Sequence, residues 1–167
     1  MRKVITAAEM REVDRLTTER YALPSLLLME QAAGASARAI AARLQHDLSG
    51  LQVLVLCGRG NNGGDGAALA RLLWLAGASV DVVLFGRVEA TAGDARTNVE
   101  IVRQLAEANL AVDVGAHAAW LSFKEFPTDA SWWPNKSDAK VSYKVIVDAM
   151  FGTGLTRPLV GIYVKPS

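Results

Sequence analysis

Cys57-Gly58-Arg59-Gly60-Asn61-Asn62-Gly63-Gly64-Asp65-Gly66 constrains this chain more than any other stretch, because its five glycines lie between an apolar run and a helical one. Val53-Leu54-Val55-Leu56 reads as a buried parallel strand, and Ala67 to Leu73 as the helix that follows. A strand, a glycine-rich loop and a helix in this order suit an anion. Glycine lets the backbone turn sharply and approach a ligand, while the free N–H groups and positive dipole end of the helix face a phosphate. The spacing Gly58-x-Gly60-x-x-Gly63 fits the dinucleotide fingerprint, but that match is weak alone, and a loop that only turns a strand into a helix also uses glycines. Asn61, Asn62 and Asp65 add polar side chains where a bare turn needs none, and Gly63 is expected to bring its backbone against phosphate.

The usual dehydrogenase reading has a defect. Its ribose-binding acid ends the second strand, about twenty residues past the loop. Here that strand is Ser79 to Phe85, and it ends in Gly86-Arg87. Asp81 lies near the strand's start, at the wrong edge of the sheet. Arg87 has the charge for a 2′-phosphate, although an exposed surface arginine has the same sequence signature.

With 167 residues, about half hydrophobic and a fifth charged, one folded domain with a sizeable core is expected. The net charge is +1 and no dense lysine or arginine run occurs, so nothing points to nucleic acid or an acidic membrane. Met1 to Thr6 leads into a charged amphipathic helix without an apolar signal core, and no segment reaches the length of a membrane span, so the cytoplasm is the expected compartment. The lone Cys57 excludes an intrachain disulfide, and with His46 and His117 as the only histidines it completes no zinc site. At the end of a buried strand it reads as a packed thiol.

Thr6-Ala7-Ala8-Glu9 is a capping box for a first helix to about Arg20. Tyr21 to Pro24 breaks it, and Ser25 is expected to cap a second helix through about Gln45. The small residues from Ala32 to Ala37 give that helix a close-packing face, against the sheet or another subunit. Glu30 and Gln31 read as solvated or capping groups. The chain then alternates: strand one over 51–57, helix three over 64–76, strand two over 79–85, helix four over 95–108, strand three over 110–114. Residues 115–140 read as a short helix and an irregular surface loop, with Trp132-Trp133 packing locally. Tyr143 to Asp148 makes strand four, and Phe151 to Pro158 a second glycine-rich loop. Alternation of this kind implies a parallel sheet with right-handed crossovers. In the order 3-2-1-4, strands one and four are neighbours, so both glycine-rich loops leave the same edge and face one crevice. Asp148 ends strand four there, as a metal ligand, an acid or base, or a cap for the next turn.

These residues resemble a known family. Gly60-Asn61-Asn62-Gly63-Gly64-Asp65-Gly66, then Val147-Asp148-Ala149-Met150-Phe151-Gly152-Thr153-Gly154-Leu155, with Met29-Glu30-Gln31-Ala32-Ala33-Gly34 before them, look like the NAD(P)H-hydrate epimerases, over about Thr6 to Pro158. The resemblance implies a Rossmann-like three-layer α/β sandwich with a mainly parallel sheet and two N-terminal helices. It implies an isomerase that interconverts the R and S forms of hydrated NADH and NADPH for nicotinamide cofactor repair, as a homodimer. A fused or separate ADP- or ATP-dependent dehydratase then restores the cofactor. Carried over, substrate contacts fall on Asn61, Asn62, Gly63, Gly64 and Asp65 and on Gly152, Thr153, Gly154, Leu155, Thr156, Arg157 and Pro158. A potassium ion falls on Asn62 and Asp148, and hard oxygen ligands suit such a cation on chemical grounds too.

The family continues past the second loop with a helix and a strand bearing an Asp-x-Pro-Ser-Gly segment, which supplies an acid and a further ion ligand. Ile162 to Ser167 does not match it. The expectation is therefore one domain over 1–167 that lacks the family's C-terminal part, has no assigned catalytic residue, and binds nucleotide without comparable turnover. A non-catalytic nucleotide-binding or dimerisation module of the same fold is the alternative, and a conventional nicotinamide dehydrogenase a weaker one.

Overall fold

The computed structural model describes residues 4–114, 117–126 and 142–152. Helix α1 spans Ala7–Tyr21 and α2 spans Ser25–Arg43. The expected capping box is present: the Thr6 hydroxyl accepts from the Glu9 amide at 3.2 Å, and the Glu9 carboxylate accepts from the Thr6 amide at 2.6 Å. Ser25 does not cap α2. Pro24 holds the cap position, and the Ser25 hydroxyl donates to the Asp94 carboxylate instead. The helix also stops earlier than expected, because Gln45 and His46 both take left-handed backbone angles, φ 57° and 63°.

Strand β1 (Gln52–Cys57), helix α3 (Asn61–Leu75), strand β2 (Ser79–Phe85) and helix α4 (Gly93–Glu107) follow in the expected alternation. Helix α3 begins three residues before the expected Gly64, so the Asn-Asn-Gly-Gly-Asp segment is its first turn and not a loop. Val99 and Val102 bury the α4 stripe as its spacing predicts.

The region after α4 differs most. Val112–Val114 (β3) is not a strand of the main sheet; it pairs antiparallel with His117–Ala119 (β4) in a separate ribbon. The third parallel strand is β5, Leu121–Phe126, where a helix and loop were expected. It runs beside β2 from Val80↔Leu121 to Phe85↔Phe126. Strand β6 (Val145–Ala149) pairs parallel with β1, so the order is β5-β2-β1-β6. This is the expected 3-2-1-4 order with a different third strand.

One face of the sheet carries most of the core. Val53, Val55, Cys57, Val80, Val82 and Leu84 pack with Ala67, Ala70 and Leu73 of α3, Ala33 of α2 and Val102 of α4. The small residues of α2 thus serve a packing role, with Ala33 only 1% exposed. The opposite face holds a second cluster of Val83, Phe85 and Phe126 with Leu54, Leu56 and Met150, to which no helix among the described residues contributes. Phe85 and Phe126 stack with ring centroids 5.0 Å apart. On the same sheet, Ile146 of β6 is 62% exposed. Residues 127–141, including Trp132 and Trp133, lie outside the described residues.

Candidate active site

The carboxyl ends of β1 and β6 are joined at the point where both glycine-rich segments begin. The Gly58 amide donates to the Ala149 carbonyl at 3.0 Å, and the Asn62 side-chain amide donates to the Phe151 carbonyl at 3.1 Å. Two segments about ninety residues apart therefore share one edge of the sheet, the switch point at which such folds bind ligands.

The glycines have unequal reasons to be there. A Cβ on Gly58 would lie 1.9 Å from the Met150 carbonyl oxygen, and one on Gly63 1.8 Å from the Gly58 carbonyl oxygen. On Gly64 it would lie 2.7 Å from the Ala95 α-carbon, and on Gly66 2.6 Å from the Ala149 β-carbon. Four of the five glycines are thus required by contacts within the protein. Gly60 is the exception: a Cβ there meets nothing within 4 Å. Gly60 is the N-cap of α3, no side chain caps that end, and no acidic residue occupies its first turn. At Gly63 the α-carbon packs on Gly58, so its missing side chain is already explained within the protein. The open side of the loop is at Gly60.

Asn61 is exposed, while Asn62 and Asp65 are half-buried. With its nitrogen donating to Phe151, Asn62 keeps its amide oxygen for another partner, and Gly152 lies against its side chain, with the added Cβ 3.2 Å from the Asn62 β-carbon. Asp148 is exposed and accepts from the Met150 amide at 3.1 Å, so the turn-capping role is realised. Its second carboxylate oxygen has no hydrogen-bond partner among the described residues. An amide oxygen and a carboxylate oxygen are hard donors of the kind an alkali cation takes. Thr153, Gly154, Leu155, Thr156, Arg157 and Pro158 lie outside the described residues.

Asp65 has its carboxyl pushed up to about 6, first by burial and second by the charge of Asp14 on α1. Unfolded, the group ionises near its ordinary value of 3.8. Below that value both states are protonated; as pH rises through about 6 the folded state must ionise against its surroundings, and stability is lost. Asp65→Asn is therefore expected to be more stable than the native chain at pH 7.5, by about 1 kcal/mol after solvent screening, with the gain gone near pH 4. Urea unfolding at both pH values measures this; a gain that persists at pH 4 would assign the effect to something other than ionisation.

Other side chains have definite places. Glu30 is not a cap: with its side chain still 36% exposed it pairs with Arg71 of α3 at 2.6 Å, tying α2 to α3. Cys57 is fully buried and burial pushes its thiol up to about 12, so it is a packing group and not a nucleophile. Asp81 sits in the first half of β2, where it accepts from the Ser122 and Tyr143 hydroxyls, away from the crevice. His117 lies in β4 and not in a loop. Reading the sequence missed Arg59. Its aliphatic arm lies against Gly86, where an added Cβ would be 2.7 Å from the Arg59 δ-carbon, and the visible signal was a lone cation inside a glycine run.

Among the described residues no helix is long and apolar enough to cross a membrane. The chain is 38% identical over 159 residues to an NAD(P)H-hydrate epimerase of Weissella koreensis, covering 95% of this chain and 60% of that protein. It is 36% identical over 160 residues to a bifunctional NAD(P)H-hydrate repair enzyme Nnr of Moorella thermoacetica, covering 95% of this chain and 27% of that one. A crystal structure of the yeast protein ynu0 superposes with a TM-score of 0.66 at 21% identity, covering 97% of this chain and 62% of that chain, which shows the shared fold. The chain thus spans under two thirds of the length of these relatives. The model of the YjeF-related protein N-terminus matches residues 25–165, both glycine-rich segments included, and the chain belongs to that family.

Proposed function

We propose that this chain is an NAD(P)H-hydrate epimerase, an isomerase that interconverts the R and S forms of hydrated NADH and NADPH. The observation that carries this reading is the joining of the two glycine-rich segments through Gly58 to Ala149 and Asn62 to Phe151, in a chain of this family. The uncapped N–H groups of α3 would face the dinucleotide's phosphates, with Asn61 to Asp65 and, by the family resemblance, Gly152 to Pro158 as the substrate contacts. Asn62 and Asp148 would hold a potassium ion through their side-chain oxygens, and the ion would supply positive charge beside the substrate. Asp65, with its carboxyl near 6, is able to hold and return a proton close to neutrality. The reading includes a homodimer in the cytoplasm and a fused or separate ADP- or ATP-dependent dehydratase that restores the cofactor. Light scattering at the monomer mass would remove the homodimer.

The test separates the S and R hydrates by chromatography and times their interconversion. The native chain is expected to bind the hydrates and to accelerate their interconversion weakly, and Gly60→Val, which places a side chain only where ligand would be, is expected to lower hydrate affinity at least tenfold in a chain that still folds. Asp65→Asn and Asp148→Asn then distinguish proton transfer from ion binding. Hydrate binding without interconversion would favour a non-catalytic nucleotide-binding or dimerisation module, and neither binding nor conversion overturns the proposal. For the cation, crystals grown in rubidium are expected to show anomalous scattering between Asn62 and Asp148; no peak at saturating rubidium removes it.

A further inference from the structure

In a dinucleotide-binding βαβ unit, the end of the second strand meets the 2′ position of the adenosine ribose. An acid there accepts the 2′-hydroxyl of NAD, and a nearby arginine accommodates the 2′-phosphate of NADP. In this chain β2 ends at Phe85 and the next residue is Gly86, with φ +141°, a conformation that L side chains rarely adopt. The acid is thus replaced by a residue without a side chain, and the space is filled from the loop after β1: the arm of Arg59 lies across Gly86.

The surrounding charges single out Arg59. Arg87 is 74% exposed in its side chain and pairs with Glu89 at 3.4 Å. Arg96 donates to the Val88 carbonyl at 2.7 Å and pairs with Glu100 at 3.1 Å. Glu100 also pairs with Arg103, and the Glu125 carboxylate accepts from the Val88 amide at 2.6 Å. Every acid named here is engaged elsewhere, while Arg59, exposed at the mouth of the crevice, has no ion pair or hydrogen bond among the described residues. Its stem is seated by Gly86 and its guanidinium has no counter-ion among the described residues. A planar guanidinium on a stem seated in this way matches a phosphate monoester, which it can hold through two parallel hydrogen bonds.

We infer that Arg59, seated over Gly86, receives the 2′-phosphate of the adenosine ribose, so that the chain prefers hydrated NADPH to hydrated NADH. The inference rests on the proposed reading of the crevice as a site for a hydrated nicotinamide dinucleotide. It moves the 2′-phosphate contact from Arg87, the sequence's own candidate, to a residue of the glycine-rich segment.

Calorimetric titration of the native chain, Arg59→Gln and Arg87→Gln with the hydrates of NADPH and NADH tests it. The native chain is expected to bind the NADPH hydrate about ten- to a hundredfold more tightly, the range of a hydrogen bond to a charged group. Arg59→Gln is expected to erase that difference while leaving the NADH hydrate unchanged, and Arg87→Gln to change neither. On the native chain, 2′-AMP is expected to compete with the NADPH hydrate and 5′-AMP to compete more weakly. Equal affinity of the native chain for both hydrates overturns the inference and leaves the function standing. An equal loss for both in Arg59→Gln assigns the arginine to the shared pyrophosphate and also overturns it. Failure of the folded native chain to bind either hydrate overturns the reading of the crevice together with it.

Discussion

Gly63→Ala is expected to cost the domain about 3 kcal/mol or more and to leave much of it unfolded, while Gly60→Ala, three residues earlier, is expected to cost no more than about 1 kcal/mol. The two substitutions add the same methyl group to the same glycine-rich segment. At Gly63 that methyl would sit 1.8 Å from the Gly58 carbonyl oxygen and 2.6 Å from its carbon, inside the covalent frame of the backbone. No rotamer can relieve the overlap, so either the first turn of α3 moves off the loop or Gly58 breaks its bond to Ala149. At Gly60 the methyl meets nothing within 4 Å, and the backbone there, φ −95° and ψ −171°, is open to any residue. The remaining cost is the poorer capping of α3 by alanine. Thermal unfolding followed by circular dichroism compares them directly, and a Gly63→Ala domain as stable as Gly60→Ala would show that the segment is not closed upon itself. The same contrast makes Gly60, and not Gly63, the position at which to probe a ligand.

Trp74→Ala is expected to destabilise the domain by about 3–5 kcal/mol, the range for emptying a large buried aromatic site. Trp74 is 3% exposed on α3, and its indole N–H donates to the Ala119 carbonyl at 3.1 Å. Ala119 ends β4 and is 1% exposed, and β5 begins two residues later. One side chain therefore fills the core and fixes the ribbon that leads into the third strand of the sheet. Trp74→Phe keeps much of the volume and leaves the Ala119 carbonyl without its donor, so about 1–2 kcal/mol is expected. Chemical denaturation measures both. Similar losses for Phe and Ala would mean that the hydrogen bond dominates, and negligible losses for both would refute a structural role for the ribbon's attachment.

Local signals served well wherever a strand or helix buries one face by a regular rule. β2 matched its expected bounds, because Ser79 to Phe85 is a continuous run of strand-forming residues closed by Gly86. The Thr6 capping box and the Val99, Val102 stripe of α4 were equally legible, since each depends on residues three or four apart. Leu121 to Phe126 was not. Leu121 and Phe126 are its two buried residues and point to opposite faces, with Lys124 and Glu125 exposed between them. No alternation of period two survives on an edge strand of that kind. Its place beside β2 is set by pairing with Val80 to Phe85, forty residues away in sequence.

The candidate site divides in the same way. The sequence by itself determined that two glycine-rich segments follow two neighbouring parallel strands, because apolar runs and glycine positions are local and the crossover rule then fixes their shared edge. It did not determine what each glycine is for. Whether a missing side chain makes room for a ligand or for the protein's own backbone depends on which atoms the fold brings to that point. Only the tertiary structure decided that Gly58 and Gly63 are closed by Met150 and Gly58 while Gly60 remains open. It likewise ties Glu30 to Arg71, raises Asp65 by bringing burial and Asp14 together, and lays Arg59 across Gly86. Each of these is a contact or a field between residues of different elements, and such terms have no period or spacing that a single segment can display.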